Sequence, residues 1–362
     1  EVFRVKAPSY RFDIEIEEDL IEEVARLVGY EKLPDVPPVA KAAMFMRRED
    51  TRSAHDIRRA LANLGYQELI NFSFVPEAWE KDFANNDHPI RLLNPIASQL
   101  SVMRTQMIGG LVDILKYNLN RKVTSAKLFE VGRVFYPDES VETTEWSVKG
   151  VRQPSRVAGL LYGDAMGEQW AVKARNVDFY DAKGDVERLL FPLKATFVAK
   201  TFPALHPGRS AAVILNGEEI GFVGELHPKL QQTYGLPHAP VVFELDLAAL
   251  LKINVPWHTP VSKFQPVLRD ISVVVPHGVT YETLQQAVVN AAKTDARLST
   301  FVSLSLFDLY HMEATDARPA ETSMAFHLTL QPVDEAFSGE AAEEAMQAVI
   351  EALSSVGAQL RQ

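Results

Sequence analysis

The chain has no cysteine in 362 residues. That absence excludes disulfides, thiolate nucleophiles and cysteine-based zinc sites. It has no apolar run long enough to span a bilayer and no basic-then-apolar leader, so nothing argues for export and a cytoplasmic location is expected. Positive charge is in short supply. Lysine and arginine number 37 against 48 aspartates and glutamates, a net charge of −11 with a pI near 5.4. Broad electrostatic binding of nucleic acid relies on neutralised phosphates, so this balance argues against it, and any RNA contact must be local and shape-guided or carried by a partner. Phosphate loops are lacking too, since Gly109-Gly110 sits inside an apolar helical stripe without a Rossmann or P-loop pattern.

What is present is an ordinary globular composition, 47% hydrophobic and long enough for more than one core. Two domains and a fragment are expected, because Glu1-Val2-Phe3-Arg4-Val5 reads as a strand already under way. Leu20, Ile21, Val24, Leu27 and Val28 recur at helical spacing, and Gly29 stands where a helix end favours positive φ. Asp19, Glu22 and Glu23 share a face of that helix, and Asp13 lies just upstream. Two readings are open. Four converging carboxylates repel unless a cation sits among them, and a hard ion such as Mg2+ suits oxygen ligands. Alternatively, the acids favour the positive end of the helix dipole while the apolar face is buried.

Pro8-Ser9-Tyr10-Arg11-Phe12-Asp13-Ile14, followed by Glu17-Glu18-Asp19-Leu20-Ile21-Glu22-Glu23 and on to Leu33-Pro34, resembles the end of the magnesium-associated domain in the β-subunit family of bacterial phenylalanine–tRNA ligases. The resemblance implies that Asp13, Asp19, Glu22 and Glu23 contribute to a Mg2+ site shared with an α subunit, and it favours the metal reading. Residues 1–36 are then the truncated end of that domain. Prolines 34, 37 and 38 break any helix, so 37–50 reads as an extended linker.

A second domain is expected over 51–255. Capping candidates at Asp50-Thr51-Arg52-Ser53 precede a stripe of Ile57, Leu61 and Leu64 that stops at Gly65. Residues 69–75 read as a strand, 107–118 as a helix, and 126–135 as a strand pair or one long strand. This order, with the Asn94-Pro95 loop and Lys127-Leu128-Phe129-Glu130-Val131-Gly132-Arg133-Val134-Phe135, is similar to the synthetase-like module of the same family, and 178–187, 204–211 and 220–228 continue the match. The resemblance implies a class II synthetase-like antiparallel sheet domain that is inactive, a scaffold for an α subunit that carries phenylalanine and ATP. The residues agree. Adenylate formation needs cations on the ATP phosphates; Arg133 is a candidate, but no second glycine-rich segment brings an opposing arginine, so no catalytic residue is assigned. His206-Pro207-Gly208-Arg209 reads as a turn between strands rather than a base and anion clamp. The family keeps its editing module upstream of this stretch, so no hydrolytic proofreading is expected.

Pro256, Pro260 and Pro266 punctuate the next boundary. Strand 268–276, helix 280–292, strands 302–310 and 323–330, helix 339–356 and the closing Gly357-Ala358-Gln359-Leu360-Arg361 give the ferredoxin-like βαββαβ order, and the class as a whole is α+β. Phe264-Gln265-Pro266-Val267-Leu268-Arg269-Asp270-Ile271, Leu306-Phe307-Asp308-Leu309-Tyr310 and the closing segment resemble the family's ferredoxin-fold anticodon-binding domain over 262–361. Departures at 311–319, Thr322 and Glu335-Ala336-Phe337 reduce the charge available to phosphates. Arg269, Tyr310 and Arg361 are the RNA-contact candidates, since arginine forks onto phosphate or stacks on a base and tyrosine offers a π face. Each also has a plain structural reading, Arg269 pairing with Asp270 and Tyr310 closing a core edge. Taken together, the resemblance implies a non-catalytic portion of a ligase in an (αβ)2 assembly that charges tRNA-Phe. ATP is bound elsewhere, no membrane is involved, and an apolar helical face around 108–115 is left for the α subunit. The competing classes are a free-standing RNA- or metabolite-binding protein reusing these folds and an independent amino-acid-activating enzyme.

Overall fold

The computed structural model describes residues 2–361 apart from 45, 47, 256, 259, 315–318 and 333–337. Glu1, the boundary residue Pro256, part of the 311–319 departure and Glu335-Ala336-Phe337 thus lie outside the described residues. The chain divides into two compact units, Glu1–Val255 and Pro256–Gln362.

The first unit opens with α1 (Glu17–Val28), which ends at Gly29 with φ 96°. Val2, Phe3 and Val5 form no strand and are exposed, because no other strand among the described residues pairs with them. After the linker come α2 (Ala54–Asn63), β1 (Gln67–Glu68), β2 (Phe74–Val75), α3 (Glu77–Ala84), β3 (Val102–Met103), α4 (Ile108–Leu119) and β4 (Ala126–Arg133). They are followed by β5 (Tyr136–Pro137), β6 (Val151–Arg152), β7 (Ser155–Tyr162), α5 (Phe179–Leu190), β8 (Thr196–Ala199), β9 (Leu205–Leu215), β10 (Glu218–Leu226), α6 (Pro228–Thr233), β11 (Val241–Asp246) and α7 (Leu247–Leu251). Ser53 starts α2 with a reciprocal cap: its hydroxyl accepts from Asp56 N–H while the Asp56 carboxylate accepts from Ser53 N–H. Asp178 caps α5 in the same way.

Among the described residues the main sheet has the order β1-β4-β7-β11-β10-β9-β8. Its pairs are antiparallel except β1 with β4, which is parallel. Side chains alternate, so Phe129, Leu161 and Phe243 join Ile57, Leu61, Val186 and Leu189 on one face, while Leu128, Leu160 and Val242 join Phe83, Leu111 and Leu115 on the other. With helices on both faces, β7 and β11 are nearly continuous apolar runs.

Two further expectations fail in this unit. Residues 69–75 are not one strand: β1 stops at Glu68, and the chain leaves the sheet so that Asn71 Nδ2 reaches Glu130 Oε2 at 2.9 Å. His206-Pro207-Gly208-Arg209 is not a turn but part of β9. Leu205 faces Leu226 and Ser210 faces Gly224, so residues 206–209 oppose Glu225 alone in a bulge that accommodates Pro207 and Gly208. Arg209 pairs there with Glu225 at 2.8 Å.

The ends of the sheet region meet. Thr51 bridges Lys252, Ile253 N–H donates to the Asp50 carbonyl at 3.0 Å, and the Arg52 guanidinium donates to the carbonyls of Leu250 at 2.8 Å and Leu189 at 3.0 Å.

The second unit contains β12 (Val267–Pro276), α8 (Tyr281–Ala291), β13 (Phe301–Met312), β14 (Glu321–Leu330), α9 (Gly339–Ser354) and β15 (Gln359–Leu360). Its antiparallel order β13-β14-β12-β15 is the ferredoxin-like arrangement read from the sequence. Ile271, Val273, Met324, Phe326 and Leu328 pack against Leu284, Val288, Ala345, Val349 and Leu353 of the helices. The opposite face carries Asp270, Ser305, Phe307, Tyr310 and His327, all exposed.

A buried polar contact joins α5 and β4 to the link between α2 and β1 in the first unit. Asp185 on α5, 3% exposed, accepts from Tyr66 Oη and from Lys127 Nζ on β4, both at 3.0 Å. Urea denaturation is expected to show a loss of about 2 kcal/mol for Tyr66→Phe, a hydrogen bond to a charged carboxylate removed, and about 3 kcal/mol for Asp185→Ala, which strands Lys127 and Tyr66 together.

Candidate functional site

The four carboxylates near the N-terminus do not converge. Arg11 donates to Asp13 through Nε at 3.0 Å and Nη2 at 2.8 Å, and its Nη2 also meets Glu23 Oε1 at 2.5 Å. Arg26 reaches Glu23 Oε2 at 2.6 Å. Hydrogen bonds from Arg11 and then Arg26 hold the Glu23 carboxyl down at about 2. Asp19 instead caps α1, accepting the N–H groups of Glu15 at 2.8 Å and Ile16 at 3.0 Å, and those bonds lower its pKa. Glu22 accepts from Tyr30 Oη at 3.3 Å. Among the described residues no group of three or more His, Asp or Glu side chains is placed to hold a metal. The arrangement therefore does not fit a hard cation, which needs several uncommitted oxygens; the Arg11 guanidinium supplies the positive charge in its place.

A cluster of buried charge lies on the α4 side of the main sheet. Glu130, Ala158 and Glu244 form one row across β4, β7 and β11, and Gly132 and Arg156 are partners in the next. Arg104, 2% exposed, donates to Glu130 Oε1 at 2.7 Å and to the Arg133 carbonyl at 3.0 Å. Gly132 is required beneath it, since a Cβ there would strike the Arg104 guanidinium and the Glu130 carboxylate. Glu244 Oε2 accepts from Met107 N–H at 2.9 Å, just before α4. Burial pushes its carboxyl up to about 7, against the opposing pull of Arg156 and Arg104. Arg156 Nε and Gln106 Oε1 are buried with no hydrogen-bond partner among the described residues. Arg133, the arginine singled out from the sequence, instead lies at the exposed end of β4.

The exposed face of the second sheet offers different chemistry. Register places Val274, Ser323 and Tyr310 in one row, with Ser272, Ala325 and Asp308 in the next. Arg361 joins them, its Nη1 donating to Ser323 Oγ at 3.2 Å and its N–H to the Ser272 carbonyl at 2.9 Å. Tyr310 is 63% exposed and closes no core edge. Tyr310 and Arg361 are thus brought together. Arg269 is not: it pairs in register with Leu328, a core residue, so it belongs to the other face, and its Nη1 donates to the Leu268 carbonyl at 3.0 Å. It does not pair with Asp270, which binds His327 Nδ1 at 2.7 Å. Ser323 and Asp308 escaped the sequence reading, because cross-strand register cannot be read from one strand.

The apolar face expected at 108–115 is not available to a partner. Ile108, Leu111, Val112 and Leu115 are fully buried, because α4 packs onto the sheet beside Phe83. Exposed apolar side chains occur instead at Ile70, Phe72, Leu93 and Ile96. Their segments flank β3, which pairs with β2 on one side and with Arg91 on the other.

The chain matches family models described as the phenylalanyl tRNA synthetase beta chain CLM domain over residues 33–247, the ferredoxin-fold anticodon binding domain over 262–361, and the tRNA synthetase B5 domain over 1–30. It is 50% identical to the phenylalanine–tRNA ligase beta subunit of Burkholderia lata, with all of this chain and 45% of that protein aligned. The corresponding protein of Cupriavidus pinatubonensis is 49% identical, over 98% of this chain and 44% of its own. The chain thus spans a little under half the length of the curated relatives it matches. Among solved structures, a pyrrolysyl tRNA synthetase from Desulfitobacterium hafniense aligns with TM-score 0.40 and 10% identity over 54% of this chain and 63% of its own, too slight to carry an argument. No helix among the described residues is long and apolar enough to cross a membrane.

The Glu244 carboxyl sets a pH dependence whose sign is fixed. Its pKa rises from an ordinary 4.5 to about 7 on folding, so between those values the folded state binds more protons than the unfolded one. Stability is then fullest below about pH 4.5 and falls as pH rises towards 7, by roughly 3 kcal/mol at most. Carboxylates held down by arginine, such as Glu23, act only below their ordinary range and do not mask this window. Glu244→Gln keeps an acceptor for Met107 N–H and is expected to flatten the urea midpoint between pH 5 and 7, leaving the variant the more stable protein at pH 8.

Proposed function

The chain belongs to the phenylalanyl-tRNA synthetase β-chain family, and on that premise we propose that it works as a non-catalytic portion of a phenylalanine–tRNA ligase β subunit. Its first unit is a class II synthetase-like sheet without catalysis that scaffolds an α subunit in an (αβ)2 assembly. Its second unit docks the anticodon region of tRNA-Phe. ATP and phenylalanine belong to the α subunit in this reading, and the energy of ATP drives attachment there.

The internal engagement of Arg104 carries the non-catalytic reading. Amino-acid activation needs a cation free to follow charge onto the transferring phosphate. Arg104 is instead committed to Glu130 and the Arg133 carbonyl, away from water. The exposed residues around Ile70 and Ile96 support the scaffold role, because an apolar surface beside β3 gains by being covered. Exposed Tyr310 and Arg361, joined through the buried Ser323 hydroxyl within a match to an anticodon-binding domain, support RNA docking. A Mg2+ ion shared through Asp13, Asp19, Glu22 and Glu23 would require the α subunit to draw Arg11 away from Asp13 and Glu23.

Two measurements test the reading. The chain alone is expected to give no phenylalanine-dependent exchange of pyrophosphate into ATP, and detectable exchange overturns the non-catalytic assignment. Binding of a tRNA-Phe anticodon stem-loop is expected to have a shallow salt dependence, and Arg361→Ala should reduce the slope of log K against log salt by about 0.7, one phosphate's share.

A further inference from the structure

The face that carries Tyr310 holds a second aromatic plane. Phe307 lies on the His327 ring with centroids 4.0 Å apart and planes 16° from parallel. Asp270 Oδ1 meets His327 Nδ1 at 2.7 Å and fixes the imidazole in its plane. Phe307 owes its position to a break in the ladder. Leu306 faces Phe326 and Asp308 faces Ala325, which leaves Phe307 as the extra residue of a bulge, turned onto the exposed side beside His327. It is 51% exposed, so one face of the ring rests on the imidazole and the other is open.

We propose that Phe307, stacked on His327, is a platform for a second unpaired RNA base, distinct from the base taken by Tyr310; the inference rests on the RNA-docking reading above. Phe307 and Tyr310 stand three steps apart along the strand, about 10 Å, too far for one base to cover both rings. Asp308 stands in the row between them, and Asp270 and Ser305 lie in the row of His327. The carboxylates repel phosphate but accept from the amino and imino groups of a base, while the Ser305 hydroxyl donates or accepts. Stacking with edge recognition suits a chain of net charge −11, which has little positive charge to offer phosphates.

The test uses the full chain and synthetic anticodon stem-loops in which each loop nucleotide in turn is made abasic. With the wild-type protein, abasic replacement at two loop positions is expected to weaken binding about tenfold each. Phe307→Ala should lose about tenfold with the intact loop and become indifferent to one of those positions; Tyr310→Ala should become indifferent to the other. Phe307→Trp should retain binding and Phe307→Leu should not, which separates a planar surface from simple bulk, and unchanged thermal melting shows that the variants fold. If Tyr310→Ala weakens binding while Phe307→Ala does not, the second platform is overturned and the docking reading survives. If the wild type binds and neither variant differs from it, both stacking platforms are overturned; if the wild type does not bind, the docking reading falls with them.

Discussion

The buried pair of Arg104 and Glu130 is the constraint around which the first unit is arranged. At 3% and 5% side-chain exposure, neither charge has water to stabilise it, so every remaining donor and acceptor must be met by protein. Asn71 and the Arg133 carbonyl meet them, and Gly132 leaves the room. The irregular path of 69–73, the β3–α4 junction and the middle of β4 follow from that need. A neighbouring carboxyl, Glu244, fastens the residue before α4 to β11. The Arg104–Glu130 pair is therefore closed upon itself as architecture, while Arg156 Nε in the neighbouring row has no partner among the described residues.

The second unit handles polarity in the opposite way. One face of its sheet is sealed by two helices, and the other leaves hydroxyls, carboxylates and rings to solvent. An acidic chain can meet RNA by this route, because rings and hydrogen-bonding groups ask for base edges and not for a field of positive charge. The departure at Thr322 has a related explanation. Its side chain is buried against His311, with Oγ1 3.1 Å from Nδ1, so this position joins strands and does not reach phosphate.

Local signals in the sequence were sufficient for most elements. The cap at Ser53 marks a helix start and Gly29 a helix end, whereas β7 and β11, nearly continuous apolar runs, were not read as strands because a buried strand and a buried helix segment share that pattern. The alternation in 323–330 was equally legible, and β14 extends it back to Glu321. What escaped depends on partners far along the chain. Arg104 meets a residue 26 positions away and Met107 one 137 away, so neither contact leaves a local pattern. Arg11 stands beside Asp13, but nothing local shows that it also reaches Glu23, 12 positions along the chain. Pro207-Gly208 has the composition of a turn, and only the pairing of β9 with β10 turns it into a bulge. Register, which separates Arg269 from Tyr310, is decided across strands.

The bridge between Thr51 and Lys252, tightened by the Arg52 guanidinium on the Leu250 carbonyl, brings the entrance and exit of a two-hundred-residue stretch to one spot. A stretch closed in this way is portable: it interrupts the polypeptide as a side loop interrupts a thread, leaving the flanking segments only a strand's breadth apart. Its evolutionary loss, gain or transplantation would ask for no long connection, only for two ends that can sit side by side.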